Sequence, residues 1–383
     1  MSAALVPATS PTLTDTPMPA VRRPGYFERP GPSWLILASF GFLTLPVAAM
    51  VLFLPTADTL SRVYVWLFGG THVVLTLTLY GSRANRRHFA SSPKALALFV
   101  LAPLLIVAAY VVLFGLKMTG AVPWLAIGFW GLVRLMNFLH LNRQTFGVLQ
   151  LFKARSGGKF PAWGRLCENA TGFALVGALL SAHAAGGICP LLPVPTVYPA
   201  SLPAEWTVPL WLGCTAAAVG LFAASMVAIL RTPATRGRGA AVAYFTAQCV
   251  GTLAAAFYLP LYLAALAMHY VEYHVLMVPR VASQPLDPAS RIDRGYGWLR
   301  ARPILFVGAV LAAGLLVTLG MGSMDFSPPA EETGAGVYAW GAALSAFDAL
   351  ILVHYLLEMF IWKFSDPHFR ESMKGVYFAV KAK

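Results

Sequence analysis

The chain has 383 residues, of which 58% are hydrophobic and only 11% charged, and its mean hydropathy is +0.68. Soluble domains carry about 25% charged residues, so a water-soluble globule is excluded and an integral membrane protein is indicated. The net charge of +13 does not point to nucleic acid, because the basic residues cluster in short loops between apolar runs, as the positive-inside rule requires.

Residues 1–32 are rich in Pro, Thr, Ser and Ala and end in Arg22, Arg23 and Arg29, which reads as a disordered cytoplasmic leader. No short apolar segment with a cleavage site precedes residue 33, so 33–54 is expected to be a retained helix rather than a signal peptide. Further runs of spanning length follow at 60–82, 95–116, 121–152, 166–186, 207–230, 239–279, 303–322 and 336–363. The run at 239–279 would be roughly 60 Å long as one helix, twice the hydrocarbon thickness of a bilayer. Pro260 near its middle lacks a backbone donor, so the run divides into 239–258 and 260–279.

Loop charge agrees with that division. Basic clusters follow the second, fourth, sixth, eighth and tenth helices, beginning at Arg83, Lys153, Arg231, Arg280 and Lys363. The alternate connections carry Asp58, Glu205, Asp325, Glu331 and Glu332. The expectation is an all-α polytopic transmembrane bundle of about ten helices with both termini cytoplasmic, in the inner membrane of a bacterium. Its parts are the leader, a transmembrane domain over 33–364 and a basic tail over 365–383. The cysteines Cys167, Cys189, Cys214 and Cys249 form no CxxC pair and read as small apolar residues.

The chemistry is concentrated in Met268-His269-Tyr270-Val271-Glu272-Tyr273-His274. Imidazoles and a carboxylate inside a spanning segment cost several kcal/mol unless they are paired or ligated. At about 100° per residue, His269, Glu272 and Tyr273 share one face, while His274 points about 140° away. Any site here therefore takes ligands from other helices. Counting back from the first basic residue after each helix, His72 lies 11 residues before Arg83 and His140 13 before Lys153. His269 and His274 lie 11 and 6 before Arg280, and His354 and Glu358 lie 9 and 5 before Lys363. At 1.5 Å per residue, four helices place imidazoles in one slab of the inner leaflet, roughly 8–20 Å below the cytoplasmic boundary.

The faces agree with the depths. His72, Thr76 and Tyr80 form an i, i+4, i+8 stripe, as do His354, Glu358 and Trp362, and Asn137, His140 and Gln144 lie within about 60° of one another. The candidate ligands are His72, His140, His269, His274, His354 and Glu358, with Thr76, Asn137, Gln144, Glu272 and Tyr273 as supporting residues. His274 ligates only if its helix is locally distorted. His88, His183 and His368 read as structural or surface residues.

Neutral imidazole with carboxylate suits iron, zinc, copper or manganese, and the absence of a nearby cysteine argues against thiolate-bound centres. Histidine with carboxylate and open positions is the donor set of non-haem Fe(II) oxygenases, whose co-substrate O2 dissolves well in lipid. A site this deep implies a lipophilic substrate arriving through the membrane lipid. The alternatives are bis-His haem, an acyltransferase with one buried His as base, and a proton-coupled transporter. The nearly charge-free outer halves argue against the transporter.

The segments Gly70-Thr71-His72, Leu139-His140-Leu141-Asn142-Arg143-Gln144, His269 to His274 and Val353-His354-Tyr355-Leu356-Leu357-Glu358 resemble, in order and approximate spacing, the Brp/Blh family of membrane β-carotene-cleaving dioxygenases. The resemblance implies iron-binding histidines in these segments and a carotenoid-like substrate. It covers four short stretches. Thr76 and Gln144 stand near the family's acidic positions, and the third His pair is spaced i, i+5 rather than i, i+4.

Overall fold

The computed structural model describes residues 25–26, 29–54, 57–118, 123–156, 159–186, 202–233, 237–320, 335–362 and 366–378. Most of the leader, Asp325, Glu331, Glu332, Lys363, Cys189 and the last five residues lie outside these. Every element among the described residues is helical. In chain order they are α1 (Pro30–Phe53), α2 (Thr59–Gly81), α3 (Arg83–Phe89), α4 (Pro93–Leu116), α5 (Pro123–Ser156), α6 (Ala162–Ala184) and α7 (Ala204–Arg231). They continue with α8 (Arg238–Phe257), α9 (Leu259–Ala282), α10 (Arg291–Arg300), α11 (Pro303–Gly320), α12 (Ala335–Ile361) and α13 (Pro367–Tyr377).

Seven of these helices, α1, α2, α4, α7, α8, α9 and α11, are long and apolar enough to cross a membrane. The remaining long helices, α5, α6 and α12, have 34, 23 and 27 residues. Even the shortest is about 35 Å at 1.5 Å per residue, which exceeds the roughly 30 Å hydrocarbon core. They carry polar groups along their length, among them Arg134, Asn137, His140, Asn142 and Arg143 on α5 and His354 and Glu358 on α12.

The long apolar run breaks at the proline. α8 ends at Phe257, Tyr258 is extended (φ −145°, ψ 100°), and one 3-10 turn over Leu259–Leu261 starts α9. Pro260 has no N–H for the carbonyl of Ala256, four residues back. The buried indole of Trp211 on α7 donates to that carbonyl at 2.9 Å. A buried orphan carbonyl would otherwise cost about 1–3 kcal/mol, so Trp211 makes the break tolerable and ties α7 to it.

Close backbone contact sets the position of α2. A Cβ on Gly70 would lie 2.3 Å from the carbonyl oxygen of Gly314 on α11, and one on Gly314 would lie 2.8 Å from the Thr71 nitrogen. Glycines at both places let the two backbones touch, the usual role of small residues between membrane helices. A π-helical turn over Val65–Gly70 sits directly before this contact and re-aims the face that carries His72 and Thr76.

At the loop end of the bundle, the buried carboxylate of Asp293 on α10 accepts from Arg86 Nη2 (2.6 Å), Arg83 N (2.9 Å), Asp287 N (3.0 Å) and Ser290 Oγ (2.9 Å). This clasp fixes the 283–300 segment to α3. Gly25, ahead of α1, packs against the backbone of Tyr377 and Phe378 at the end of α13.

Candidate metal centre

Four helices, α2, α5, α9 and α12, bring His72, His140, His269 and His354 together, each at most 3% exposed. The rings form a closed quartet. His72 and His140 face each other across it, 5.9 Å between centroids. Each of them touches both other rings, His72 at 4.7 Å (His269) and 4.5 Å (His354), and His140 at 4.8 Å from both. One donor atom each from His72, His140, His354 and Glu358 lies within 4.8 Å of the others.

The hydrogen bonds around the quartet decide which nitrogens point inward. Thr76 Oγ1 lies 2.5 Å from His354 Nδ1 and also bonds to the Tyr273 hydroxyl. His354 Nδ1 is thereby engaged, and Nε2 has no protein partner. His140 Nδ1 is 3.4 Å from Glu358 Oε2, while its Nε2 is 3.2 Å from His269 Nε2. Neither nitrogen of His72 has a partner, nor does His269 Nδ1 or Glu358 Oε1. Buried polar atoms are normally satisfied, and each orphan costs about 1–3 kcal/mol. Several of them on converging imidazoles are donors that a metal ion could use. Two ligands of one ion, each about 2.0–2.2 Å from it, are at most about 4.4 Å apart. His140 Nε2 and His269 Nε2 are 3.2 Å apart, within that limit, and the donor atoms of His72, His140, His354 and Glu358 lie within 4.8 Å of one another, so at the widest they would draw in by a few tenths of an ångström on an ion. The residues present therefore fit a metal ion held by three or four imidazoles, with Glu358 as a fifth ligand or as the carboxylate that orients His140.

Register shows how the site is layered. Four residues after each histidine stands a polar partner: Thr76, Gln144, Tyr273 and Glu358. Gln144 Nε2 donates to the His269 carbonyl (2.9 Å), and the Tyr273 ring lies 3.9 Å from that of His72. Three residues before each histidine stand Gly69, Asn137, Leu266 and Ile351. All four line a small cavity whose wall also includes the four histidines, Val73, Tyr270 and Tyr355. The four helices run the same way, so one side of the histidine layer is closed by hydrogen-bonding groups and the other opens on a largely apolar cavity.

The remaining candidates fall around this centre. His274 is not brought to it. Its Nε2 is 3.0 Å from Thr71 Oγ1, its Nδ1 is 2.7 Å from the Tyr270 carbonyl, and its ring is 6.4 Å from His72. α9 is regular from Tyr262 to Ala282, so no distortion turns His274 onto the face of His269. Glu272, fully buried, faces α5 and α8 and accepts from Gln144 (3.3 Å) and Gln248. Asn137 accepts from the Tyr262 hydroxyl at 3.1 Å. His88 and His368 lie at the loop end of the bundle, and His183 lies at the end of α6.

Several residues of this region escape a histidine-led reading. Gln248, the one amide in the apolar α8, is detectable as such. Tyr355 packs on His140 at 4.7 Å. Asp348, six residues before His354, lies within electrostatic range of Arg134 on α5, which also acts on Tyr110, Tyr262 and Tyr355. An acid in a spanning helix is the signal that singles out Asp348.

No known protein family, curated protein or solved structure matches the chain.

Proposed function

We propose that this chain is a membrane-embedded non-haem iron oxygenase acting on a lipophilic substrate. The carrying observation is the buried quartet His72, His140, His269 and His354, with unpartnered nitrogens converging beside Glu358. Imidazole with carboxylate and no thiolate suits iron among the first-row metals. The resemblance of the four segments to the Brp/Blh dioxygenases favours the same choice, with a carotenoid-like molecule as the substrate class. Ferrous iron held here supplies dioxygen activation, chemistry that no side chain can provide.

The protein's own share is positional. Thr76 and Tyr273 hold His354 by Nδ1 and leave Nε2 toward the centre, Glu358 does the same for His140, and Gln144 fixes the α9 backbone at His269. The cavity on the opposite side is walled by Leu266, Ile351, Val73, Tyr270 and Tyr355, which accept an apolar molecule and keep bulk water away. A porphyrin plate needs an open slot between its axial ligands. Rings packed at 4.5–4.8 Å around the quartet offer none, which favours an ion over the haem alternative.

Ten membrane crossings with both termini cytoplasmic complete the reading. The basic loops support it, and so does the contact of Gly25 with Phe378, since residues before α1 and after α12 that touch share a side and require an even number of crossings between them. A reporter fused after Leu259 is expected outside and one after Gln284 inside. The test of function is metal analysis of protein purified from its membrane, together with oxygen uptake. Iron near one equivalent with iron-dependent uptake supports the proposal. A Soret band, or full zinc occupancy without oxygen chemistry, replaces it with another reading.

A further inference from the structure

Three short helices, α3, α10 and α13, stand at the loop end of the bundle, and they differ in what they turn outward. Among the described residues, neither α3 nor α13 exposes a large apolar side chain. The exposed side chains of α13 include Glu371 and Lys374, which are of opposite charge. α10 instead exposes Ile292 and Trp298, 60% and 54% accessible, together with Arg291 and Arg294. At about 100° per residue, Arg291 and Trp298 lie about 20° apart on α10, while Asp293 and Arg300 fall on the opposite side. That opposite side is the one held by protein. Asp293 sits in the clasp with Arg86, and Arg300 Nη1 donates to the carbonyls of Val281 (3.0 Å) and Gln284 (2.9 Å). The only carboxylates between residues 283 and 302, Asp287 and Asp293, are taken by Arg83 and Arg86. Among the described residues no ion pair offsets Arg291, Arg294 or Arg302, so the outward face is cationic.

The level of this face follows from what comes next in the chain. Only Ala301 and Arg302 separate α10 from α11, which is long and apolar enough to cross a membrane. Ile304, at the start of α11, is 87% exposed and so faces the bilayer, which places α10 at the bilayer boundary. Arg302 joins the two helices. Its guanidinium lies 4.2 Å from the centre of the Trp298 ring, and its Nη1 donates to the Trp298 carbonyl at 3.0 Å. A tryptophan and an aliphatic side chain beside arginines, on the free face of a helix at this level, match a helix that lies in the interface. Its apolar groups enter the acyl boundary and its cations meet the headgroups.

We infer that the outward face of α10 is a docking surface for anionic phospholipid. Ile292 and Trp298 set into the acyl boundary, and Arg291 and Arg302 take headgroup phosphates of the leaflet that α11 enters. The cationic face is complementary to such a lipid, and its apolar part is continuous with the lipid-facing side of α11. The inference depends neither on the iron reading nor on the number of crossings, because a nanodisc presents both leaflets and lipid binding is measured without metal.

The experiment uses the full-length protein. In detergent, native mass spectrometry with added phosphatidylglycerol or phosphatidylcholine reads the affinity for each lipid. Wild type is expected to prefer phosphatidylglycerol. Arg291→Gln combined with Arg302→Gln is expected to weaken that lipid about thirtyfold, the loss of two cations facing an anionic surface. Arg370→Gln combined with Lys374→Gln, on α13, is the control and is expected to leave the preference unchanged. In nanodiscs, amide exchange over residues 291–302 is expected to be slower in equal parts phosphatidylglycerol and phosphatidylcholine than in phosphatidylcholine alone. Trp298→Ser is expected to speed that exchange in both compositions. Unaltered exchange over α11 checks that each variant is folded, and the comparison of lipids on wild type needs no variant. Equal affinity of wild type for the two lipids overturns the inference. A preference that survives loss of Arg291 and Arg302, or that falls as far in the α13 control, overturns it too. So does exchange over residues 291–302 that is the same in both nanodiscs.

Discussion

The molecule holds two groups of histidines, and they are built on opposite plans. In the quartet of His72, His140, His269 and His354, every ring is buried and several nitrogens lack protein partners. At the loop end of the bundle, His88 and His368 stack at 4.2 Å with planes 11° apart, each beside a polar side chain of the protein. His88 Nε2 is 3.2 Å from Asp366 Oδ2, and His368 Nε2 is 2.9 Å from Asn85 Oδ1. The second group is only partly exposed and ties α3 to α13. Proximity of imidazoles thus says little about metal. Four fully buried rings converging with a carboxylate are what separate a site that could hold a cation from this partly exposed stacked pair.

The sharpest way to break this comparison is to remove a ring from each group. His269→Ala and His354→Ala are expected to abolish bound metal and with it oxygen-dependent turnover, as read by elemental analysis and oxygen uptake. Full metal occupancy in both variants would leave the quartet without its assigned role. Gly70→Ala tests placement rather than ligation. Its new methyl meets the Gly314 backbone, so α2 must shift and carry His72 with it. Overpacking of this kind typically costs about 1–3 kcal/mol, and a lower melting temperature together with reduced metal content is expected. Tyr273→Phe and Gln144→Leu leave all ligands in place but loosen His354 and His269. Metal affinity measured by chelator competition is expected to fall about 10–100-fold.

The latch is expected to respond to pH instead. Burial first, and the His88 ring second, hold His368 below the ordinary histidine range, with Arg280 adding to this and Asp366 opposing it. The folded state favours its neutral form, so its contribution is complete above about pH 6.5 and is lost progressively below that value, as pH falls toward and through the lower folded-state pKa. Amide exchange over residues 367–377, corrected for intrinsic rates, is expected to be faster at pH 5.5 than at pH 8. Protection that rises on acidification would contradict the latch. The smallest effect is expected from His88→Ala, His183→Ala and His368→Ala, each of which should keep its full complement of metal.

Much of this was legible along the chain. Apolar length and loop charge mark the membrane helices, and the backbone breaks at Tyr258, beside the proline that interrupts the 40-residue run. Depth counting places His72, His140, His269 and His354 at one level, and their rings are found in contact. The 140° offset of His274 is visible in the sequence, and its nitrogens bond to Thr71 and Tyr270 instead. Asp348 and Gln248 were also visible, as an acid and an amide in apolar spans, but nothing local says which neighbours they meet.

Helical periodicity fixes a residue's height and angle on its own axis, because rise and turn per residue are constants of the backbone. It does not fix how one helix is rotated against another. That depends on contacts between residues far apart in the chain, such as Gly70 with Gly314, Asn142 with Gly172, and Trp211 with the Ala256 carbonyl. Sequence alone therefore determined that the polar residues occupy a common level within a membrane bundle. Only the packed structure decided which nitrogens turn inward and which side of the histidine layer opens on a cavity.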